Sequence, residues 1–153
     1  MDLALELAGQ AQAEGEIPVG AIIVTRDGAV AGRGFNQPIS SHDPTAHAEI
    51  VALRDASNNV ENYRLSGLTM YCTKEPCVMC AGAIIHARIE RLVFGAFDSK
   101  AGAAGSVYNV LTDPRLNHQV EVVRGIRGME CSRLLQSFFE KRRNPAAGNT
   151  NVP

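Results

Sequence analysis

Apolar residues recur at three- and four-residue spacing from Leu3 to Ala11, which predicts an amphipathic helix that ends at Gly15. An apolar run follows from Val19 to Thr25. The Asp27-Gly28 turn then leads into a second run of small and apolar residues, Ala29 to Phe35. Two such runs around a two-residue turn signal predict a β-hairpin.

The middle of the chain alternates between loop, helix and strand patterns. A loop is predicted over Asn36 to Ser41, and Asp43-Pro44 then provides an N-cap and a first-turn proline for a helix to about Ala56. The buried run Leu68 to Thr73 predicts a strand. Pro76 is expected to open a second helix that continues to about Ala87.

The last third predicts two short strands, a flexible loop and a final helix. Leu92 to Phe94 and Val120 to Val123 have strand patterns, and Gly102 to Ser106 separates them as a loop. An apolar stripe from Leu134 to Phe139 marks the last helix, and residues 144 to 153 are expected to form a flexible tail. Helices and strands interleave, which indicates an α/β architecture with helices covering a central sheet.

Length and composition favour one compact domain over residues 1 to 153. The chain has 153 residues, 45% hydrophobic and 20% charged, with a net charge of −1. No signal peptide and no run of 18 apolar residues is present, so we expect a cytoplasmic protein that does not enter the membrane. Charge is unevenly distributed: residues 1 to 63 carry −6 and residues 64 to 153 carry +5. The basic second half could attract a polyanion.

Histidine and cysteine occur in two short motifs that predict a metal site. His47-Ala48-Glu49 and Pro76-Cys77-Val78-Met79-Cys80 each stand near the predicted start of a helix. Cysteines three residues apart face the same side of a helix, and the helix start favours the thiolate form that binds metal. His47, Cys77 and Cys80 make three ligands. Structural zinc sites usually have four protein ligands, whereas catalytic sites leave a position for water.

Glu49 is the predicted proton carrier beside that metal. It lies two residues from His47, so the two side chains converge only if the helix start points at the site. Either motif alone is weak evidence, because Cys-x-x-Cys also occurs as core cysteine or as a redox pair. Together they match the His-x-Glu and Pro-Cys-x-x-Cys signature of zinc nucleobase deaminases. Cys72 and Cys131 are predicted to be small buried side chains.

Further segments resemble the bacterial tRNA wobble-adenosine deaminase family over nearly the whole chain. The similarity implies a three-layer α/β/α cytidine-deaminase-like fold with a five-stranded mixed sheet, and a homodimer with one zinc ion per subunit. It also implies conversion of adenosine to inosine at the first anticodon position of an arginine tRNA. The matching segments are Ile17–Ala21, Asn36–Ile39, Asp43–Ile50, Glu75–Ala83, Gly102–Ser106, Asn117-His118 and Phe138–Arg143.

The same resemblance assigns substrate contacts. It implies that Asn36 and the backbone of Ala48 contact the flipped nucleotide. It also places Asp98, Lys100 and the pair Arg142-Arg143 near the tRNA anticodon stem-loop. The sequence departs from the family at three positions: a polar residue is common where Phe97 stands, and apolar residues are common where Lys74 and Cys72 stand.

Two alternatives stay open on the sequence alone. A deaminase of the same chemistry could act on a free base or nucleoside, such as guanine or cytosine, and would not need a basic RNA-facing end. A non-catalytic, zinc-stabilised RNA-binding subunit would have no use for the carboxylate of Glu49.

Overall fold

A computed structural model of the protein describes residues 1 to 144. The predicted tail, residues 144 to 153, lies outside the described residues apart from Asn144. Within the described part of the chain, no helix combines the length and apolar character needed to cross a membrane. The elements in chain order are α1 (Asp2–Ala13), β1 (Gly20–Val24), β2 (Val30–Phe35), α2 (Pro38–Ser41), α3 (Ala48–Asn59), β3 (Thr69–Lys74), α4 (Val78–His86), β4 (Arg91–Ala96), β5 (Glu121–Val123) and α5 (Gly128–Arg143).

The five strands form one mixed sheet in the order β2-β1-β3-β4-β5. β1 is antiparallel to both β2 and β3, whereas β3, β4 and β5 run parallel to one another. The predicted hairpin is confirmed as β1 and β2. Because parallel neighbours end at the same edge of a sheet, the residues that follow β3, β4 and β5 meet along one edge.

Helices cover both faces of the sheet, as the three-layer α/β/α prediction requires. α3 packs on β1 and β2 from one side, and α4 lies beside α3; α1 and α5 pack on the other side. The contact between α3 and β2 is unusually close: a Cβ on Gly34 would lie 2.3 Å from the carbonyl oxygen of Ala48. Glycine in β2 therefore lets the start of α3 approach the sheet.

Three element boundaries differ from the sequence predictions. The expected loop Asn36 to Ser41 contains the single-turn helix α2, which has proline at its first position. The predicted helix start at Pro44 is wrong, because the carboxylate of Asp43 accepts hydrogen bonds from the backbone and hydroxyl of Thr45 and closes a turn there. Pro76 also precedes its helix by two residues, because Cys77 has an extended backbone (φ −76°, ψ 175°) and forms the N-cap of α4.

Candidate metal and catalytic site

The two predicted motifs come together at the starts of α3 and α4. His47 is the N-cap of α3 and Cys77 the N-cap of α4, and both have extended backbones. Cys80 lies in the first turn of α4. His47 Nδ1 is 3.6 Å from Cys77 Sγ and 3.5 Å from Cys80 Sγ. Within residues 1 to 144, these three side chains form the one group whose ligand atoms all lie within 4.8 Å of one another.

The spacing of these atoms fits a zinc ion. Zinc lies about 2.05 Å from a histidine nitrogen and about 2.3 Å from a cysteine sulfur, so a tetrahedral site separates N and S by about 3.6 Å. Both measured N–S distances match this value. One nitrogen and two sulfurs also suit the chemistry of zinc. Three protein ligands are the number that catalytic zinc sites provide, whereas structural sites usually provide four.

The electrostatics of the pair of thiols favour metal binding. Hydrogen bonds from Cys80 and from His47 lower the pKa of Cys77 to about 3 and outweigh the opposing effect of its burial. The hydrogen bond with the Cys77 sulfur, together with burial, raises the pKa of the Cys80 thiol. The hydrogen bond with the Cys77 sulfur raises the pKa of His47. The lowered pKa of Cys77 favours its thiolate, which is the form of cysteine that binds metal.

Glu49 lies in the first turn of α3, next to the three ligands. Its side chain is buried, and with His47 and Cys77 it lines a cavity of about 110 Å³. Burial raises the pKa of the Glu49 carboxyl. Cys72 is buried as predicted, and its burial, together with the nearby carboxylate of Glu49, raises the pKa of its thiol. The raised pKa of Glu49 makes its carboxylate a better proton acceptor, which suits a group that carries protons.

Asn36 and Ala48, the two residues assigned to the flipped nucleotide, are joined by a hydrogen bond. The Ala48 backbone N–H donates to Asn36 Oδ1 at 2.9 Å. Asn36 is buried and lines the same cavity as Glu49. The bond fixes the end of β2 against the start of α3 and orients the Asn36 carboxamide in the cavity wall.

A second buried carboxylate, Glu75, also lines the cavity, and sequence reasoning gave it no role. It accepts hydrogen bonds from the backbone N–H groups of Asp98 (2.9 Å), Ala104 (3.1 Å) and Ser106 (3.0 Å), and from the Ser106 hydroxyl. A Cβ on Gly102 would lie 2.4 Å from its carboxyl group. Glu75 therefore holds the loop of residues 98 to 106, which follows β4, against the site.

Lys74 and Asp98 form an ion pair at the rim of the cavity. Lys74 ends β3 and lines the cavity, and Asp98 lies two residues after the end of β4. Burial acts to raise the pKa of Asp98, but hydrogen bonds from Lys74 and from the backbone of Lys100 outweigh this effect. The pKa of Asp98 is therefore lowered. Lys100 itself is exposed. The ion pair thus holds Asp98 beside the cavity wall through Lys74, which the sequence did not assign to the site, and Lys100 contacts Asp98 through its backbone N–H.

The two predicted RNA-facing arginines lie at the end of α5. Arg142 donates to the backbone oxygen of Gly15 at 2.9 Å, and its guanidinium lies 4.7 Å from the centre of the Phe138 ring. Ile17, close to Gly15 in sequence, lines the catalytic cavity. Arg143 is exposed. These contacts place the basic end of α5 beside the loop that leads into β1.

Comparisons with known proteins identify the family. Residues 1 to 96 match the family model for the cytidine and deoxycytidylate deaminase zinc-binding region. A tRNA-specific adenosine deaminase of Haemophilus influenzae is 54% identical over 94% of this chain and 83% of the relative. The chain belongs to the tRNA-specific adenosine deaminases. Within this family, the Bacillus subtilis protein of the same name is 40% identical over 99% of this chain and 94% of its own length.

Solved structures agree with this membership of the tRNA-specific adenosine deaminases. One comes from work on A-to-I editing by tRNA:A34 deaminases at the wobble position of transfer RNA. It has a TM-score of 0.84 and 41% identity, and covers 88% of this chain and 97% of that chain. A guanine deaminase from Bacillus subtilis has a TM-score of 0.61 and 30% identity, over 99% of this chain and 96% of its own. The predicted cytidine-deaminase-like fold is confirmed.

Proposed function

We propose that this protein is a zinc-dependent hydrolase that converts adenosine to inosine at the wobble position of tRNA and releases ammonia. One observation carries the proposal. A three-ligand group with a buried carboxylate beside it occurs in a chain 54% identical to a tRNA-specific adenosine deaminase. Zinc binding and deamination characterise the family, and we propose the roles of the individual residues in them.

His47, Cys77 and Cys80 hold the zinc, and Glu49 moves the protons. Zinc in such a site lowers the pKa of water to about 7, which supplies a nucleophile at neutral pH. Glu49 accepts a proton from the water that attacks C6 of adenine and gives it to N1. It then carries the second proton from the new C6 hydroxyl to the amino group, the C6–N bond breaks, and water and adenosine have become inosine and ammonia. Such a shuttle contributes about 100- to 10,000-fold in rate.

Asn36 and Ala48 contact the adenosine, and four charged residues face the RNA around it. Asn36 presents its carboxamide in the cavity wall. Asp98 is paired with Lys74 of the cavity wall, which supports a contact with the RNA there, and Arg142 and Arg143 contribute positive charge at the end of α5. A base in a single-stranded anticodon loop reaches such a cavity without the cost of opening a duplex. We propose an arginine tRNA as the substrate, as the family resemblance implies.

The active form is a homodimer in the cytoplasm, where tRNA is available. An apolar groove of about 770 Å³ runs between α3 and α4 and is lined by Leu53, Tyr63 and Met79. Tyr63 is 70% exposed, and Met79 and the adjacent Val78 are also exposed. A contiguous apolar face of this kind is typical of subunit interfaces. Sedimentation should give twice the mass of the chain, and a monomeric active enzyme would contradict this assignment.

A guanine deaminase of the same fold is the second candidate, supported by the 30% identical Bacillus subtilis structure. The test measures ammonia release from an anticodon stem-loop RNA, guanine and cytosine in parallel, with zinc quantified on the same preparation. We expect release from the RNA alone, with the base after reaction identified as inosine. Activity only on free bases would replace the proposal with this candidate. RNA binding without ammonia release would favour a non-catalytic subunit.

A further inference from the structure

A second concavity opens beside the catalytic cavity, at the sheet edge where β4 and β5 end. This groove, called here the Phe97 groove, has a volume of about 460 Å³ and lies between Phe97 and the first turns of α5. Met129 and Arg133 of α5 line its other side, and Gly125 and Gly128 contribute backbone without side chains. A Cβ on Gly125 would already contact the Phe97 ring at 3.7 Å. Gly125 therefore keeps space open beside the ring, and Gly128 lets the start of α5 approach the backbone of Gly95.

Phe97 is held in place but is not covered. Its ring makes an edge-to-face contact with buried Phe94, with ring centres 5.3 Å apart and an interplanar angle of 86°. The residue is nevertheless 59% exposed. Met129 and Ile126, which lie close by, are 72% and 41% exposed. A fixed aromatic ring among other exposed apolar side chains provides a surface on which a planar apolar group can stack.

The charge around the groove favours an anionic ligand. Arg133 lines the groove and makes no ion pair within residues 1 to 144, because the neighbouring carboxylate, Glu130, is paired with Arg127. Among the groove-lining residues named above there is no acid. An exposed aromatic ring with a neighbouring free guanidinium is the combination that single-stranded nucleic acids use, with bases stacked on the ring and phosphates paired with the cation.

The groove and the catalytic cavity are connected through adjacent residues. Phe97 precedes Asp98, and Asp98 pairs with Lys74 in the cavity wall. An RNA strand that places its adenosine in the cavity can continue along this edge of the sheet. The next nucleotide on one side would lie at the groove.

We propose that the Phe97 groove binds an unpaired base next to the reacting adenosine in the RNA. The base stacks on Phe97, and Arg133 pairs with a phosphate of the same strand. The inference depends on the proposed RNA substrate and adds a binding site to it. Phe97 acts in binding, without a role in proton transfer, so its loss should raise KM far more than it lowers kcat.

The experiment compares Phe97→Ala and Phe97→Tyr with the wild-type enzyme on anticodon stem-loop RNA. Alanine should raise KM about 5- to 150-fold, the range measured for loss of one base–aromatic stack, with zinc content unchanged. Tyrosine should restore the wild-type KM because it keeps the aromatic face. Val60→Ala is the control, because Val60 is 40% exposed at the far end of α3 from the catalytic site, and it should leave KM unchanged.

Substrates with an abasic nucleotide immediately 5′ or 3′ of the adenosine identify the stacked base. With one of these two substrates, the KM of the wild-type enzyme should rise by the factor that Phe97→Ala shows on intact RNA. On that substrate, the wild-type enzyme and Phe97→Ala should have the same KM. An unchanged KM for Phe97→Ala would overturn the proposal, as would a difference that persists on both abasic substrates. A change of sedimentation coefficient in Phe97→Ala would instead assign the groove to a second copy of the chain. If the wild-type enzyme left the intact stem-loop unreacted, the proposed function itself would fail.

Discussion

Glu75 gives the sharpest test of how the loop over the site is held. Replacement by glutamine preserves the shape of the side chain but removes its charge and turns one acceptor oxygen into a donor. The amide oxygen can still accept from Ala104 and Ser106. The amide nitrogen would face the backbone N–H of Asp98, which then has no acceptor.

The expected cost follows from these contacts. One unsatisfied, partly buried N–H costs about 1–3 kcal/mol, and two hydrogen bonds that lose a charged acceptor cost about 1 kcal/mol each. We therefore expect Glu75→Gln to lower the free energy of unfolding by about 3–5 kcal/mol. The free energy of unfolding of a domain is typically roughly 5–15 kcal/mol. The expected loss is a large part of that but does not exceed it, so the variant should still fold.

The matched control is Glu16→Gln. Glu16 is as buried as Glu75, but its carboxylate accepts a single backbone hydrogen bond, from Ser40 at 2.8 Å, which an amide oxygen can keep. We expect a loss of about 1 kcal/mol there. Equilibrium denaturation with zinc present measures both changes. Amide hydrogen exchange should also quicken at least about tenfold in residues 98 to 106 of Glu75→Gln alone. Equal losses in the two variants, or unchanged exchange in that loop, would refute the assigned role of Glu75.

Two further predictions concern the metal ligands and the packing beneath them. Cys77→Ser should lose its zinc on dialysis, whereas Cys131→Ala, which alters a buried cysteine outside the ligand group, should keep one zinc per chain by elemental analysis. Gly34→Ala should lower the free energy of unfolding by at least about 1–3 kcal/mol because its Cβ would overlap the backbone of Ala48. Gly9→Ala, with open space around it in α1, should be neutral or stabilising in the same denaturation assay, and a similar loss in both variants would contradict this packing.

Hydrophobic periodicity predicted most of the fold correctly, and its errors have a local cause. The hairpin, the positions of β3, β4 and β5 and the last helix follow from short apolar runs, from alternation in β5 and from the helical pattern of α5. The start of α3 was misplaced because Asp-Pro can begin a helix or close a turn. Asp43 does the latter through its bonds to Thr45. His47 consequently becomes the N-cap, which directs its side chain at the site.

The ligand group could be predicted because short spacing encodes most of it. Cys77 and Cys80 share one helical turn, and only His47 has to be brought in by the fold. The contacts of Glu75 could not be predicted, because its partners lie 23 to 31 residues later in a loop whose path no local pattern specifies. The Lys74 ion pair likewise depends on the register that sets Lys74 opposite Ala96 in the sheet.

The account depends most on Glu49 acting in proton transfer beside an intact zinc site. The direct measurement is zinc content and inosine formation on one preparation of Glu49→Ala, with the wild-type enzyme alongside and stem-loop RNA as substrate. We predict one zinc per chain in both proteins and a loss of about 100- to 10,000-fold in kcat for the variant. A zinc-loaded variant that forms inosine at the wild-type rate would contradict the central claim.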